Sequence, residues 1–358
     1  MSSKKPLIFT ALLLFAFACS IAQERTTIEL NKGWKFSKGN NEKAFENNFN
    51  DSKWQSVTVP HDWAIYGPFD KEIDKQVTAI VQNGENVATE KTGRTGALPY
   101  IGEAWYRNQF SVPNFDKNKK VILLFEGAMS EPKVFLNGKK VGEWNYGYNF
   151  FYFDITDYLA ANGKNNLAVH LSNVGESSRW YPGAGLYRKV KLIVKNKESI
   201  DQWGTFVTTP IVKDDVAKVN IKTKVTGENL RIVTKIMDAS GNELAANKSD
   251  AIFGNEFEQN IAVKNPKLWS PETPYLYTAV SQIFVGDVLK DETTTRFGIR
   301  TIKFEPNKGF SLNGKVRKFK GVCLHHDLGP IGTAINKAAL RRQLTILKDM
   351  GCDAIRSS

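Results

Sequence analysis

Cysteine is scarce in this chain: Cys19, Cys323 and Cys352 are all that 358 residues contain. That is too few for a disulfide framework, and no Cys/His group has metal-ligand spacing, so a stapled miniature fold and a zinc module are both excluded. Cys323 and Cys352 stand in apolar strand or helix-end surroundings and are expected to be buried thiols. Long apolar runs are missing too, and with them any membrane span. The one sizeable run, residues 7–18, is short and follows Lys4 and Lys5. Residues 1–22 therefore read as a secretory signal cleaved after Ser20-Ile21-Ala22, which makes the protein secreted or periplasmic. Lipid attachment at Cys19, behind Ala16-Phe17-Ala18, is the alternative. The formal charge is +12, and +10 without Lys4 and Lys5, yet no Lys/Arg block is present. Scattered charge of this kind excludes a nucleic-acid footprint and serves solubility, with some attraction to acidic glycans. A G-x-S-x-G elbow is absent, which removes the Ser-His-Asp hydrolases that depend on it.

What is present is ordinary globular protein, 41% hydrophobic and 24% charged, long enough for two or three domains. From residue 27 to about 195 the pattern is all-β, with short alternating runs at 57–59, 105–112, 121–125, 133–136, 151–155 and 166–171. Asn137-Gly138, set between two such runs, is a strong hairpin signal. Strands of this length and spacing predict a sandwich of jelly-roll type. Trp34, Trp54, Trp63, Trp105, Trp144 and Trp180 all fall in this region. Indoles can stack on sugar rings, but in a β-sandwich each is first expected to be core. Residues 71–91 are polar and weakly patterned, and read as a surface loop. Ser178-Arg179-Trp180-Tyr181-Pro182-Gly183 has the glycine and proline of a loop with fixed shape.

Runs at 219–225, 230–237, 257–263, 276–284 and 293–302 alternate at period two, with Ala239-Ser240-Gly241-Asn242 as a turn. Five to seven strands in about 100 residues predict an immunoglobulin-like sandwich. Residues 304–318, turning at Asn313-Gly314, read as a hairpin. A short buried strand is expected over 319–324, ending on His325, His326 and Asp327. Residues 336–350 form an amphipathic helix, with Leu340, Leu344 and Leu347 on one face, Asn336 as N-cap and Gly351 just past its end. Ala354-Ile355 opens the next strand, and Arg356 lies near its end. Strand, polar cluster, helix and strand make one βα unit and the start of another, and a (β/α)₈ barrel keeps its active site at the C-terminal ends of such strands.

Several of these passages carry a resemblance. Pro60-His61-Asp62-Trp63 with Gly67-Pro68-Phe69-Asp70 resembles the sugar-binding domain of family 2 glycoside hydrolases, and is closest to its β-galactosidase branch. Thr92-Gly93-Arg94-Thr95-Gly96, leading to Gly102-Glu103-Ala104-Trp105-Tyr106-Arg107, is similar to the next family segment. Pro266-Lys267-Leu268-Trp269-Ser270-Pro271 and Phe297-Gly298-Ile299-Arg300 resemble its central domain. The Gly321-Val322…His325-His326-Asp327 run and Gly351-Cys352-Asp353-Ala354-Ile355-Arg356-Ser357-Ser358 resemble the opening of its catalytic barrel, and the text stops at Ser358 in mid-motif. After the signal read above (1–22), the resemblance implies a jelly-roll sugar-binding domain (23–197), an immunoglobulin-like spacer (198–303) and the first βα unit of an incomplete barrel (304–358).

It further implies hydrolysis of β-galactosides with retention, with β-glucuronidase or another family activity as the alternative. A carbohydrate-binding protein without catalysis is the rival from another class. Retention needs two carboxyl groups about 5–5.5 Å apart. In the family both are glutamates on later barrel strands, so no catalytic residue is assigned here, and Glu103, Glu126 and Glu131 belong to the sandwich. The resemblance makes His325 a sugar-contacting residue, with His326 and Asp327 beside it. It makes Arg356 a brace for the site's carboxylates and carries Arg179 and Trp180 to the pocket rim, where a packed interdomain loop is the other reading. No cofactor or metal ligand is assignable, although a divalent or monovalent cation could sit in the complete site. The expected partner is a β-galactoside or other glycan.

Overall fold

The computed structural model describes residues 25–68, 102–113, 115–116, 118–161, 163–173, 181–213, 215–250 and 254–357. The expected leader, the 71–91 loop, the 92–100 passage and the Arg179-Trp180 pair lie outside them. Among the described residues no helix is long and apolar enough to cross a membrane.

Two antiparallel sheets pack face to face to make the jelly-roll sandwich. One runs Thr26–Glu29, Val190–Asn196, Lys119–Phe125, Phe151–Asp154. The other runs Gln55–Val57, Trp34–Lys38, Gly102–Phe110, Asn165–Asn173, Lys133–Leu136, Lys139–Glu143. Period-two alternation decides which side chains turn inward. Leu167, Val169 and Leu171, with Trp34 and Phe36 of the same sheet, face Val121, Leu123 and Phe125 of the other in one continuous core. Each such side chain contributes roughly 1.5–3 kcal/mol. Asn137 and Gly138 hold φ of 53° and 79°, the left-handed pair that a tight hairpin requires. Trp34, Trp63 and Trp105 are buried, Trp54 packs half-buried, and Trp144 stands exposed.

The second lobe is an immunoglobulin-like sandwich of seven strands. Ser199–Lys213, Val216–Thr226 and Glu256–Lys264 form one sheet. Glu243–Ser249, Leu230–Met237, Tyr277–Val285 and Val288–Phe297 form the other. In Leu230–Met237 the buried positions are Leu230, Ile232, Thr234 and Ile236, a strict alternation. The strand expected over 293–302 ends at Phe297 instead. Gly298 packs so closely on Trp269 that a Cβ there would meet the indole at 2.8 Å, and Trp269 N donates to Ile299 O at 2.8 Å. That local contact takes the backbone out of the ladder.

The two lobes are joined by a buried ion pair. Asp291, 2% exposed, accepts from Arg25 Nη2 at 2.6 Å and from Ile200 N at 2.8 Å. Lys195 Nζ donates to Ile200 O at 2.8 Å, and burial pulls its pKa down to about 8, helped by the Arg25 charge. The joint is therefore polar and fully engaged.

Beyond the second lobe come the short sheet Ile302–Glu305, Gly309–Leu312, Lys315–Val316 and the parallel pair Gly321–Leu324 and Ala354–Ser357, bridged by the helix Lys337–Asp349. Asn336 Oδ1 caps the helix from Ala338 N and Ala339 N, both at 3.0 Å, and Gly351 turns the chain at φ +91°. Two expectations fail here. The first barrel strand alternates between exposed and half-buried, and Cys323 is exposed with Cys352 half-buried. No residue of the helix is buried: on its apolar side Leu340 and Leu347 are half-buried and Leu344 is exposed. Arg317 fixes this unit to the second lobe, donating to Glu272 and to Asp353, each at 2.6 Å.

Replacing Asp291 by alanine strands Arg25 and Lys195 in a buried site. Urea denaturation followed by tryptophan fluorescence is expected to show a loss of about 3 kcal/mol.

Candidate functional site

The turn that follows the first of the two parallel strands is held in place by a side chain from the first lobe. Asp62, 1% exposed, sits in the loop after the sandwich's second edge strand. Its Oδ1 accepts from Ala64 N at 3.0 Å and Ala184 N at 3.1 Å. Its Oδ2 accepts from Tyr181 Oη at 2.6 Å, Thr333 N at 2.8 Å and Thr333 Oγ1 at 2.9 Å. Five donors saturate one carboxylate, and charge-assisted bonds of this kind are about twice as strong as neutral ones. Three stretches far apart in sequence thus meet on one group: the Asp62 turn, the Tyr181-to-Tyr187 loop and the Gly332-Thr333 turn after the first barrel strand. Burial and the Asp62 charge both push the Tyr181 phenol up, so it stays a donor.

Sterics make the fit tight. Gly332 holds φ +60°, and a Cβ on it would run into Asp62 Oδ2 and stand 2.9 Å from Tyr181 Oη. A Cβ on Gly183 would run into Thr333. Ile335 N donates to Tyr187 O at 3.0 Å, and Tyr187 Oη donates to Gly147 O at 2.8 Å.

The sequence-derived residues distribute around this joint. His326 turns into it: its Nε2 lies 3.0 Å from Pro182 O, and its ring meets Tyr148 edge-on at 5.2 Å and Tyr187 at 5.7 Å. Burial holds its pKa below the ordinary histidine value. His325, one residue past Gly321–Leu324, is exposed, and Asp327 is half-buried. Arg356 is exposed and donates to Cys323 Sγ at 3.7 Å, across the register that pairs the two residues. Alternation puts Cys323, Arg356 and His325 on one face of the strand pair. Arg179 and Trp180 precede Tyr181, the point where the described loop resumes beside Asp62 and His326. Among the described residues no three His, Cys, Asp or Glu side chains converge as a metal centre, so no cation is assigned.

A groove of about 650 Å³ opens beside the joint, lined by Lys32, Lys35, Gln55, His61, Tyr66 and Ile331 among others. His61 Nδ1 pairs with Tyr106 Oη at 2.7 Å, while its buried Nε2 has no partner among the described residues. Burial draws the His61 pKa down to about 4. Asp62 and His61 were visible in the sequence as part of a family-like passage, but nothing in it marked them as the joint. The usable signal was a carboxylate beside Trp63 in an apolar setting, with glycines at 183 and 332 to make room for it.

Two family descriptions match the chain: "Glycosyl hydrolases family 2, sugar binding domain" over residues 28–196, and "Glycosyl hydrolases family 2" over residues 199–300. A β-galactosidase of Bacteroides ovatus is 39% identical over 349 residues, which is 95% of this chain and 39% of that protein. A β-glycosidase of Bacteroides vulgatus superposes with a TM-score of 0.80 at 33% identity, covering 93% of this chain and 41% of the other. A β-glucuronidase of Bacteroides uniformis gives 0.79 at 30% identity, covering 93% and 39%. The chain thus spans about two fifths of the length of these relatives.

Two outcomes test the joint. A methyl group at Gly332 (Gly332→Ala) is expected to release the barrel-start unit, seen as faster amide exchange over 321–357 with the sandwich unchanged. His61 carries a pH dependence whose sign is fixed: its folded value of about 4 lies below the 6.5 of an unperturbed ring. The unfolded chain takes up a proton that the folded chain refuses, so stability present above about pH 6.5 is lost as pH falls towards 4. The loss amounts to roughly 3 kcal/mol. His61→Gln, which keeps a partner for Tyr106 and does not titrate, is expected to flatten that part of the thermal-stability profile.

Proposed function

Because the chain belongs to glycoside hydrolase family 2, we propose that it forms the substrate-positioning part of a secreted or periplasmic retaining glycosidase acting on β-galactosides. The observation that supports this reading is the Asp62 joint. It brings the loop that follows Arg179 and Trp180 against His326, at the C-terminal end of a parallel strand, where a barrel enzyme reacts. His325 contacts the sugar in this reading, Asp327 accepts a hydroxyl proton, and Arg356 braces the carboxylates supplied by the rest of the barrel. Galactose as the sugar rests on the Pro60-to-Asp70 passage and on the 39%-identical β-galactosidase. A glucuronide is the second reading, favoured by the structural likeness to a β-glucuronidase and by an exposed guanidinium, Arg356, that could pair with a uronic carboxylate.

Hydrolysis with retention needs a pair of carboxyl groups about 5–5.5 Å apart. Asp62 is consumed by its five donors, and Asp353 lies at the opposite, N-terminal end of its strand, bound to Arg317 and Lys320 N. The 358-residue chain on its own is therefore expected to release no nitrophenol from nitrophenyl β-galactoside. Joined to the remaining barrel of the Bacteroides ovatus relative, it is expected to do so, with the β-anomer of galactose appearing first by NMR. His325→Ala in that chimera is expected to lower kcat/KM by about 100-fold, which corresponds to about 2.7 kcal/mol. Turnover by the chain alone, an α-anomer first, or full activity of the histidine variant would each refute the assignment. Faster turnover of the glucuronide than of the galactoside would select the second reading.

A further inference from the structure

The outer face of the first lobe's four-stranded sheet carries another groove, of about 370 Å³, in the size range of a small-ligand site. Its floor is Leu124 and Ile193, both nearly buried. Phe150 and Trp203 line it, exposed by 56% and 50%, and Tyr152, exposed by 42%, stands beside them against Trp203. The Phe150 and Trp203 centroids lie 4.2 Å apart, and those of Tyr152 and Trp203 lie 5.4 Å apart.

Trp203 is held out by its backbone. It adopts φ +54°, where a bulky residue is disfavoured by roughly 1–2 kcal/mol. This happens where Ser199–Lys213 slips register against Val216–Thr226, between Ile200 and Thr205. Such bulges re-aim side chains. The result here is an indole standing over the neighbouring lobe's sheet instead of inside its own.

Two buried polar atoms belong to residues lining the same groove. Arg188 Nε is a donor and Gln202 Oε1 is an acceptor, and neither has a partner among the described residues. Leaving both unsatisfied would cost about 1–3 kcal/mol each. A purely apolar occupant would leave that cost in place. Charge on the rim is mixed: Lys191 is already paired with Glu126 at 2.5 Å, so beside Arg188 the lining offers no cluster of unpaired cations for an anion. A sugar ring suits this lining: its C–H face lies on aromatic rings, and its hydroxyls, which both donate and accept, match the polar rim of Glu126, Arg188, Lys191 and Gln202.

The segment that supplies Phe150 and Tyr152 also reaches the strand-end site, through the contact of Tyr148 with His326 at 5.2 Å. We propose that the Phe150–Tyr152–Trp203 groove binds one unit of an oligosaccharide chain, away from the sugar that reacts. The substrate class is then an oligosaccharide or polysaccharide and not a simple glycoside. The assignment of a substrate role rests on the glycosidase reading above, whereas binding in the groove does not.

The test is titration of the 358-residue chain with β-1,4-galactotetraose, cellotetraose and methyl β-galactoside, followed by calorimetry and tryptophan fluorescence. At least one tetraose is expected to bind at least ten times more tightly than the monosaccharide. Trp203→Gly, which suits φ +54°, and Phe150→Ala are each expected to weaken it at least tenfold, with unchanged circular dichroism. Absence of binding by both tetraoses up to about 10 mM, an affinity of roughly 2.7 kcal/mol, would overturn the proposal. So would equal binding by both variants. A dimer in sedimentation that Trp203→Gly converts to monomer would assign the face to a second copy of the chain and overturn it too. Because no turnover is measured, loss of hydrolysis in the chimera and loss of binding in the groove are separate results.

Discussion

One carboxylate organises the working end of this molecule. Asp62 lies in the first lobe, yet two of its five donors come from Thr333, more than 270 residues later. The other three come from its own turn and from Tyr181 and Ala184. A buried carboxylate without partners would cost several kcal/mol, so the charge tolerates no arrangement in which either segment moves away. Positional accuracy at the strand ends is therefore supplied by the sandwich, not by the barrel start, whose helix buries no residue.

The same logic recurs at the other two joints, with different chemistry. Arg25, Asp291 and Lys195 lock the first lobe to the second through a desolvated cluster. Arg317, shared between Glu272 and Asp353, ties the second lobe to the parallel pair, and the Arg317 guanidinium holds the Glu272 carboxyl down to about 2. Glu272 is open to solvent, so that contact guides orientation more than it adds stability. The three joints form a closed path from the first lobe to the second, on to the barrel start and back to Asp62.

Local structure was largely legible in the sequence. The Lys133–Leu136 and Leu230–Met237 strands fall where alternation placed them, the Asn137-Gly138 turn has the predicted left-handed pair, and Asn336 caps its helix. These are features decided within a few residues. The missed ones depend on distant contacts. The 293–302 strand stops at Phe297 because Trp269 claims Gly298. Cys323 faces outward because the expected burial needed layers that the described residues do not provide. Of the site residues, His325 and Arg356 could be placed at strand ends from pattern and resemblance. Asp62 could not, since its partners lie 119 and 271 positions away. Trp203 was hidden for a related reason: nothing in period-two alternation announces a bulge that turns an indole out of its own lobe.

The crowding at Gly183 and Gly332 also bears on how such chains can be recombined. Any side chain at either position would wedge the lobes apart, so the joint works as a keyed coupling. Lobes exchanged between relatives would seat correctly where one donor brings an aspartate at 62 and a glycine at 183, and the other brings a glycine and a threonine at 332 and 333. Compatibility at this joint could then be judged from four letters of sequence before any hybrid is made.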